Sequence, residues 1–419
     1  MAANVAYNIP QNVQDNEEDK PVQGKQLTSV GALNVPEIVF GAATLSELYN
    51  SDDWLASDVP YRTVRLALRY GIRWFDTSPH YVQSELVLGT ILQRLAPEFP
   101  RSSYCITTKC GREGDKWDFT PSSIRASVMR SLERLKTPYL DVVLLHDIEA
   151  VTSPVWPIPY CGDYEKALAD PTTRAEWGLS SDKAPRAWGR GDDTVLDAIR
   201  ELQKMKHEGL VRQVGISGYQ LPTLLRIARL VAHTPTFAPL DTVLSFSHST
   251  LQNNRLELYL HPLLAMGKVR QIFTAAPLSM GLLGPNRPKW HPAPPDMIEA
   301  SRVAEATAAT TSGVGWPGGL PNLALGYAFR RPKSHAEMSP YNDVPTVVGL
   351  SSMKEVHDAM AVWREVSIPG TNTVRKSKED VIRGVFRAAG WLNWSWSTPE
   401  NPEFDKLAVD QLGRRIRRK

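Results

Sequence analysis

Eight short apolar runs, each followed by a stretch with helical periodicity, constrain this chain more than any other feature. The runs are 38–41, 74–75, 104–108, 140–145, 211–216, 242–246, 269–275 and 346–349. Helical patterns follow at 61–70, 84–95, 120–135, 194–208, 221–231, 256–266, 298–310 with 322–330, and 353–363. Continuous rather than alternating apolar strands mean burial on both faces, which is the state of a parallel sheet covered by helices. Eight strand–helix units are the number that closes a parallel barrel, so the prediction is a single α/β domain, a (β/α)8 TIM barrel, over 27–395. Ser84 is read as a helix cap, and Pro121 as a first-turn proline. Residues 1–26, polar and without apolar period, read as a disordered leader, and 396–419 as a tail. Residues 148–193 break the alternation with prolines, tryptophans and glycines. That length marks an insertion after the fourth strand, read as a substrate-covering lid or an interface element. A helix over 376–391 lies outside the repeat, and the aromatics of 391–396 are expected to pack on the barrel.

Composition narrows the function classes. In 419 residues, 42% hydrophobic and 22% charged, the chain has the balance of a soluble globular protein, and its net charge of +3 is too mild to argue for a nucleic-acid partner. The five basic residues among Gly413 to Lys419 read as a solvated terminus. No apolar run reaches membrane-spanning length and the N-terminus lacks a signal core, so a cytoplasmic location is expected, with no membrane partner. Three cysteines without a CxxC pair, Cys105, Cys110 and Cys161, argue against a disulfide framework or a metal site. Cys105 and Cys110 differ in parity along one strand and should face opposite ways. Oligomeric state is not readable.

Chemistry-bearing side chains gather at the ends of successive runs. Phe75-Asp76-Thr77-Ser78-Pro79-His80-Tyr81 follows the second, Thr108-Lys109 the third, and His146 the fourth. Strand ends of a parallel barrel form its catalytic face. There a phenol, an ammonium, a carboxylate and an imidazole make a proton-transfer device. Lys109 would favour the phenolate of Tyr81, Asp76 would hold Lys109, and His146 would orient a substrate oxygen. No GxGxxG opens the helix after the first strand, so a dinucleotide would have to be held by other means.

With Gly215-Ile216-Ser217, Pro277-Leu278-Ser279-Met280-Gly281 and Val348-Gly349-Leu350-Ser351-Ser352, these motifs resemble the aldo-keto reductase superfamily over about 30–365. The resemblance is strongest to its branch of fungal D-arabinose and L-galactose dehydrogenases. It implies a nicotinamide cofactor and a small sugar substrate. Asp76, Tyr81, Lys109 and His146 would be catalytic, with Tyr81 the general acid/base. The implied reaction is oxidation of D-arabinose, L-galactose or L-fucose at C1 to the aldonolactone. The resemblance places Ser217, Ser245, Leu278, Ser279, Gly281, Gly349, Ser351 and Ser352 against the cofactor. Three departures stand out. Gly218 replaces a usual asparagine, Ser245 a common glutamine, and Ala275 an aromatic that stacks on the nicotinamide in many relatives. Glu355 and Asp358 beside Lys354 favour NAD, with NADP possible if Lys354 turns inward. The rival readings are an NADPH-linked aldehyde or ketone reductase, and a nucleotide-sensing subunit. Trp156, Tyr160, Asp163, Trp177 and Trp188 of the insertion suit a sugar.

Overall fold

The computed structural model describes residues 8–155, 161–309, 315–330, 344–368 and 372–396, with two short strands, Ala408–Val409 and Arg415–Ile416, beyond them. Eight parallel strands close a barrel in chain order: β1 (Ile38–Gly41), β2 (Trp74–Asp76), β3 (Cys105–Cys110), β4 (Leu140–Leu145), β5 (Val211–Gly218), β6 (Thr242–Phe246), β7 (Gln271–Ala275) and β8 (Thr346–Gly349). The last strand pairs with the first, Val348 opposite Phe40, so no edge is left open. The barrel expected from the repeat is therefore the one formed.

Helices ring the barrel: α1 (Val59–Arg69), α2 (Ser84–Arg94), α3 (Pro121–Arg134), α4 (Arg190–His207), α5 (Leu221–His233) and α6 (Leu256–Ala265). After β7 come α7 (Pro295–Ala308) and α8 (Gly319–Phe329), and after β8 come α9 (Met353–Val366) and α10 (Thr373–Ala388). Proline stands in the first turn of α1, α3, α5 and α7, where its missing N–H costs nothing. Apolar side chains divide by strand parity. Ile38, Phe40, Phe75, Ile106, Val143, Leu145 and Ile216 face the helices; Val39, Trp74, Val142, Leu144, Leu244 and Phe273 fill the barrel. Cys110 belongs to the outer layer and Cys105 packs against the inner one, as their parity requires.

Several local expectations are corrected. Ser84 does not cap α2: it is the first helical residue after Gln83, and its Oγ bonds Ala42 O at 2.6 Å and Thr77 Oγ1 at 2.8 Å. Burial against β1 and β2 draws the hydroxyl away from the helix end. Residues 8–26, read as disordered, are held by α1, α2 and α9. Asp19 is fully buried between Arg62 (3.0 Å) and Arg65 (3.5 Å), and Asp15 meets Arg69 at 2.7 Å. Polar composition hid this because its main anchors are ionic, with Ile9 and Val13 adding apolar contacts to the outer core. Residues 1–7 and the side chains of the basic tail lie outside the described residues.

In the insertion, Trp177 is buried in the outer layer and Trp188 stacks against Arg226, while Asp163 pairs with Arg255, the residue before α6, at 2.6 Å. These three are held by the protein itself, which removes them as free sugar contacts. Trp156 and Tyr160 lie outside the described residues. The segment 391–396 packs on the barrel's catalytic end. Ser395 bridges Gly162 of the insertion, its Oγ lies 2.9 Å from His248 Nε2, and Trp396 meets His291 edge-on at 5.0 Å.

Candidate active site

Parity explains how the polar set converges. Asp76 lies opposite Thr107 and Lys109 opposite Leu144. Residues 74 and 76, 105, 107 and 109, and 142 and 144 therefore share the interior, and His146 continues that row one step beyond β4. The lower layer holds Trp74, whose Nε1 donates to Thr107 Oγ1 at 2.7 Å; the upper layer holds Asp76, Lys109 and His146.

Lys109 is wholly buried and its Nζ has three acceptors: Asp76 Oδ1 at 2.6 Å, Thr77 O at 3.0 Å and Tyr81 Oη at 3.1 Å. The half-buried Tyr81 ring lies perpendicular to that of His146, centroids 5.8 Å apart. The sequence brought these four to one place, and the structure has them there. Burial pushes the Asp76 carboxyl above its usual range, against the pull of Lys109. Burial drives the Tyr81 phenol well above its ordinary value, and the charges of Asp76 and Asp147 add to that. The phenol is thus protonated at neutral pH in the protein by itself, rather than the ready phenolate that Lys109 alone would suggest. Burial keeps His146 well below its usual range, with Lys109, His80 and Arg112 acting the same way, so its imidazole is neutral. Its Nδ1 lies 3.0 Å from Ser78 Oγ, which also accepts from His80 N at 3.1 Å.

Sequence reasoning missed a supporting layer. Asp147, in the left-handed region at φ 52°, pairs with buried Arg112, whose guanidinium stacks over Trp117. His80 sits 5.5 Å from His146, ring to ring, and burial lowers its pKa to about 4. The Tyr219 and Phe246 rings meet at a 31° tilt, centroids 5.2 Å apart, across the ends of β5 and β6. Histidine and tyrosine next to the recognised motif were the available signal; nothing in the local sequence pairs Arg112 with Asp147.

The residues expected at the cofactor are less uniform. Ser217 lies in the interior row with Leu244 opposite and donates to Leu145 O at 3.2 Å. Ser245 falls on the other parity, and its Oγ meets His248 Nδ1 at 2.9 Å, so the structure does not bring it into the interior row. Leu278, Ser279 and Gly281 form a tight turn in which Ala276, Ser279, Met280 and Gly281 all have positive φ. Ser279 N and Gly281 N donate to Ala276 O and Leu278 O, so these two amides serve the turn itself. Gly349 is exposed at the end of β8. Ser351 Oγ accepts from Asn50 at 3.0 Å, and Ser352 Oγ caps α9 by accepting Glu355 N at 3.2 Å. Ser217 Oγ keeps an acceptor for the amide of a dinucleotide, while the amides of Ser279, Gly281, Ser351 and Glu355 already have partners within the protein.

A model of the aldo/keto reductase family matches residues 37–374. The chain belongs to the aldo/keto reductase family. It is an oxidoreductase on a family barrel, and the family uses nicotinamide cofactors. Among curated relatives, the L-galactose dehydrogenase of Arabidopsis thaliana is 31% identical over 364 residues, 86% of this chain and 94% of the relative. The D-arabinose 1-dehydrogenase of Saccharomyces cerevisiae is 29% identical over 377 residues, 88% of this chain and 96% of the relative. Among solved structures, an aldo-keto reductase from Bacillus halodurans in holo form superposes with a TM-score of 0.54 at 20% identity. It covers 86% of this chain and 96% of that one, a likeness of fold. Among the described residues no helix is long and apolar enough to cross a membrane, and no group of three acidic, histidine or cysteine side chains is placed to hold a metal.

Proposed function

We propose that this family member oxidises an aldose at C1 to the aldonolactone, with NAD as hydride acceptor and D-arabinose, L-galactose and L-fucose as candidate substrates. The observation that carries the reading is the Lys109 ammonium bridging Asp76 and Tyr81 Oη, with the neutral His146 beside them. When bound, a nicotinamide supplies the carbon that takes the hydride. The chain supplies the rest. His146 orients the sugar's C1 oxygen, and Tyr81 Oη takes its proton. The phenolate needed for that step is favoured by Lys109 at 3.1 Å and by the positive charge of an oxidised nicotinamide. In the reverse direction the protonated phenol is the acid. The names of the two long-range relatives, both sugar dehydrogenases, support the substrate class.

Two contacts support NAD over NADP. Lys354 turns outward, 82% exposed, and pairs with Asp358 at 2.5 Å. Glu355 Oε2 accepts Ser351 N at 2.6 Å, so a carboxylate holds the helix N-terminus where a 2′-phosphate would otherwise be drawn. The test is a panel of aldoses with each cofactor, followed by lactone detection, for wild type and Tyr81→Phe. The expected result is NAD-linked lactone formation that Tyr81→Phe abolishes while nucleotide binding survives. A wild type that binds NAD yet oxidises no aldose would overturn the reading.

A further inference from the structure

One side of the catalytic mouth carries polar atoms that the protein leaves without partners. His80 Nδ1, Arg112 Nε and Asp147 Oδ1 are shielded from water, and none has a hydrogen-bond partner among the described residues. They gather around one imidazole. The His80 ring lies 5.5 Å from that of His146, and Asp147 Oδ2 lies 3.8 Å from His146 Nε2. Arg112, from a short hairpin of Arg112–Glu113 with Lys116–Trp117, pairs with the same Oδ2. Ser78 Oγ meets His146 Nδ1, so Nε2 is the nitrogen left for a substrate oxygen. Asp147 and Arg112 are 1% and 7% exposed, whereas His80 is only half-buried and is the edge by which the cluster meets the mouth. The ion pair accounts for Oδ2 and one arginine nitrogen. It leaves the second carboxyl oxygen as an acceptor, arginine Nε as a donor, and an imidazole nitrogen whose role follows the tautomer. Buried polar atoms without partners cost free energy that a ligand hydroxyl can recover, because a hydroxyl both donates and accepts.

We propose that His80, Arg112 and Asp147 form a specificity subsite for the hydroxyl on C2, the carbon next to the reacting C1 of the aldose. This rests on the aldose site proposed above. With the C1 oxygen on His146 Nε2, the other neighbours of C1 are the ring oxygen, which has no proton to donate, and C2 with its hydroxyl. Oxygens on adjacent carbons lie about a hydrogen-bond length apart, so the C2 hydroxyl falls within reach of groups that flank that nitrogen. Burial pushes the Asp147 carboxyl up and Arg112 opposes this; in either protonation state its second oxygen keeps a lone pair for the hydroxyl. A sugar without the C2 hydroxyl leaves the cluster unpaired, which is how buried polar groups reject an analogue.

The test compares each candidate aldose with its 2-deoxy form on the full chain with NAD. For D-arabinose that form is 2-deoxy-D-ribose, which differs only in the C2 oxygen. The wild-type kcat/KM should favour the parent sugar by about tenfold or more. His80→Phe removes the imidazole nitrogen. Asp147→Asn keeps the shape, but Arg112 claims the amide oxygen and an amino group takes the place of Oδ1. Each variant should cut the parent-to-deoxy ratio by about tenfold. A merely structural role would lower both sugars alike and leave the ratio where it was. An unmoved ratio in either variant overturns the inference, as does a wild type that oxidises the two sugars equally. NAD binding reports folding, and where one variant fails to bind it the other decides. A wild type that oxidises no aldose overturns the proposed function as well.

Discussion

Replacing Lys109 by methionine should separate two roles that the structure gives one side chain. The ammonium is fully buried and is the described partner of Asp76 Oδ1, while Asp76 Oδ2 has no partner among the described residues. Removing it leaves a carboxylate, 4% exposed, facing no cation. Breaking a buried pair from one side typically costs about 3–5 kcal/mol, because the remaining charge must stay desolvated or take up a proton. Burial already favours the protonated carboxyl of Asp76, so the cost should fall as pH is lowered. Tyr81→Phe removes only one acceptor and leaves Lys109 with two, so its cost should be at most about 1.5–3 kcal/mol. The double variant Asp76→Asn with Lys109→Met discards both charges and should recover most of the stability lost in Lys109→Met. All three variants should lose proton transfer, a rate effect of about a hundred- to ten-thousand-fold. Urea unfolding midpoints and aldose-dependent NAD reduction measure the two quantities separately. A Lys109→Met protein as stable as wild type, or a double variant no more stable than that single one, would refute the electrostatic account. Full turnover in Lys109→Met would refute the catalytic one.

Stability should fall in mild acid. His248 is 2% exposed, and burial lowers its pKa to about 3, while His80 is lowered to about 4. The unfolded chain protonates both near pH 6.5 and the native state does not, so it is the unfolded form that binds the extra protons. Stability is then full above about pH 6.5 and is lost toward pH 4 at about 1.4 kcal/mol per pH unit for each histidine, read from denaturation across that range. His248→Gln should flatten the slope. Gly89→Ala should also destabilise, because its Cβ would meet Arg134 O at 2.2 Å and Leu135 Cα at 2.7 Å where α2 crosses the end of α3. Backbone cannot yield as a flexible side chain does, so about 1–3 kcal/mol is expected from unfolding curves.

The barrel was legible because parallel strands buried on both faces leave continuous apolar runs, and only the count was needed to close it. The central site was legible for a related reason. A strand end in such a barrel is a fixed address, so Asp76, Lys109 and His146 could be placed without knowing any loop. What lay on loops was not legible. Trp177 and Trp188 looked suited to a ligand, yet composition does not distinguish a ring packed under α5 from one facing a sugar. Nor did anything mark Ser395, whose partners Gly162 and His248 come from two other loops. The leader misled for the opposite reason. Its scarcity of apolar residues suggested no fixed place, whereas Asp15 and Asp19 attach it through arginines spaced along α1 at 62, 65 and 69.

Gly218 shows how a departure from an expected pattern becomes physical once the fold is known. In sequence it reads as a lost contact, an absent side chain at the end of β5. In space the volume is filled from β4's loop, because the left-handed Asp147 lets the chain turn within a few residues of His146. The two changes require each other. Glu149 with any larger residue at 218 would collide, and Gly218 without Glu149 would leave Tyr219 N without its acceptor. Burial raises the Tyr81 phenol, the charges of Asp76 and Asp147 add to that, and the protonated phenol that results opposes oxidation of a sugar.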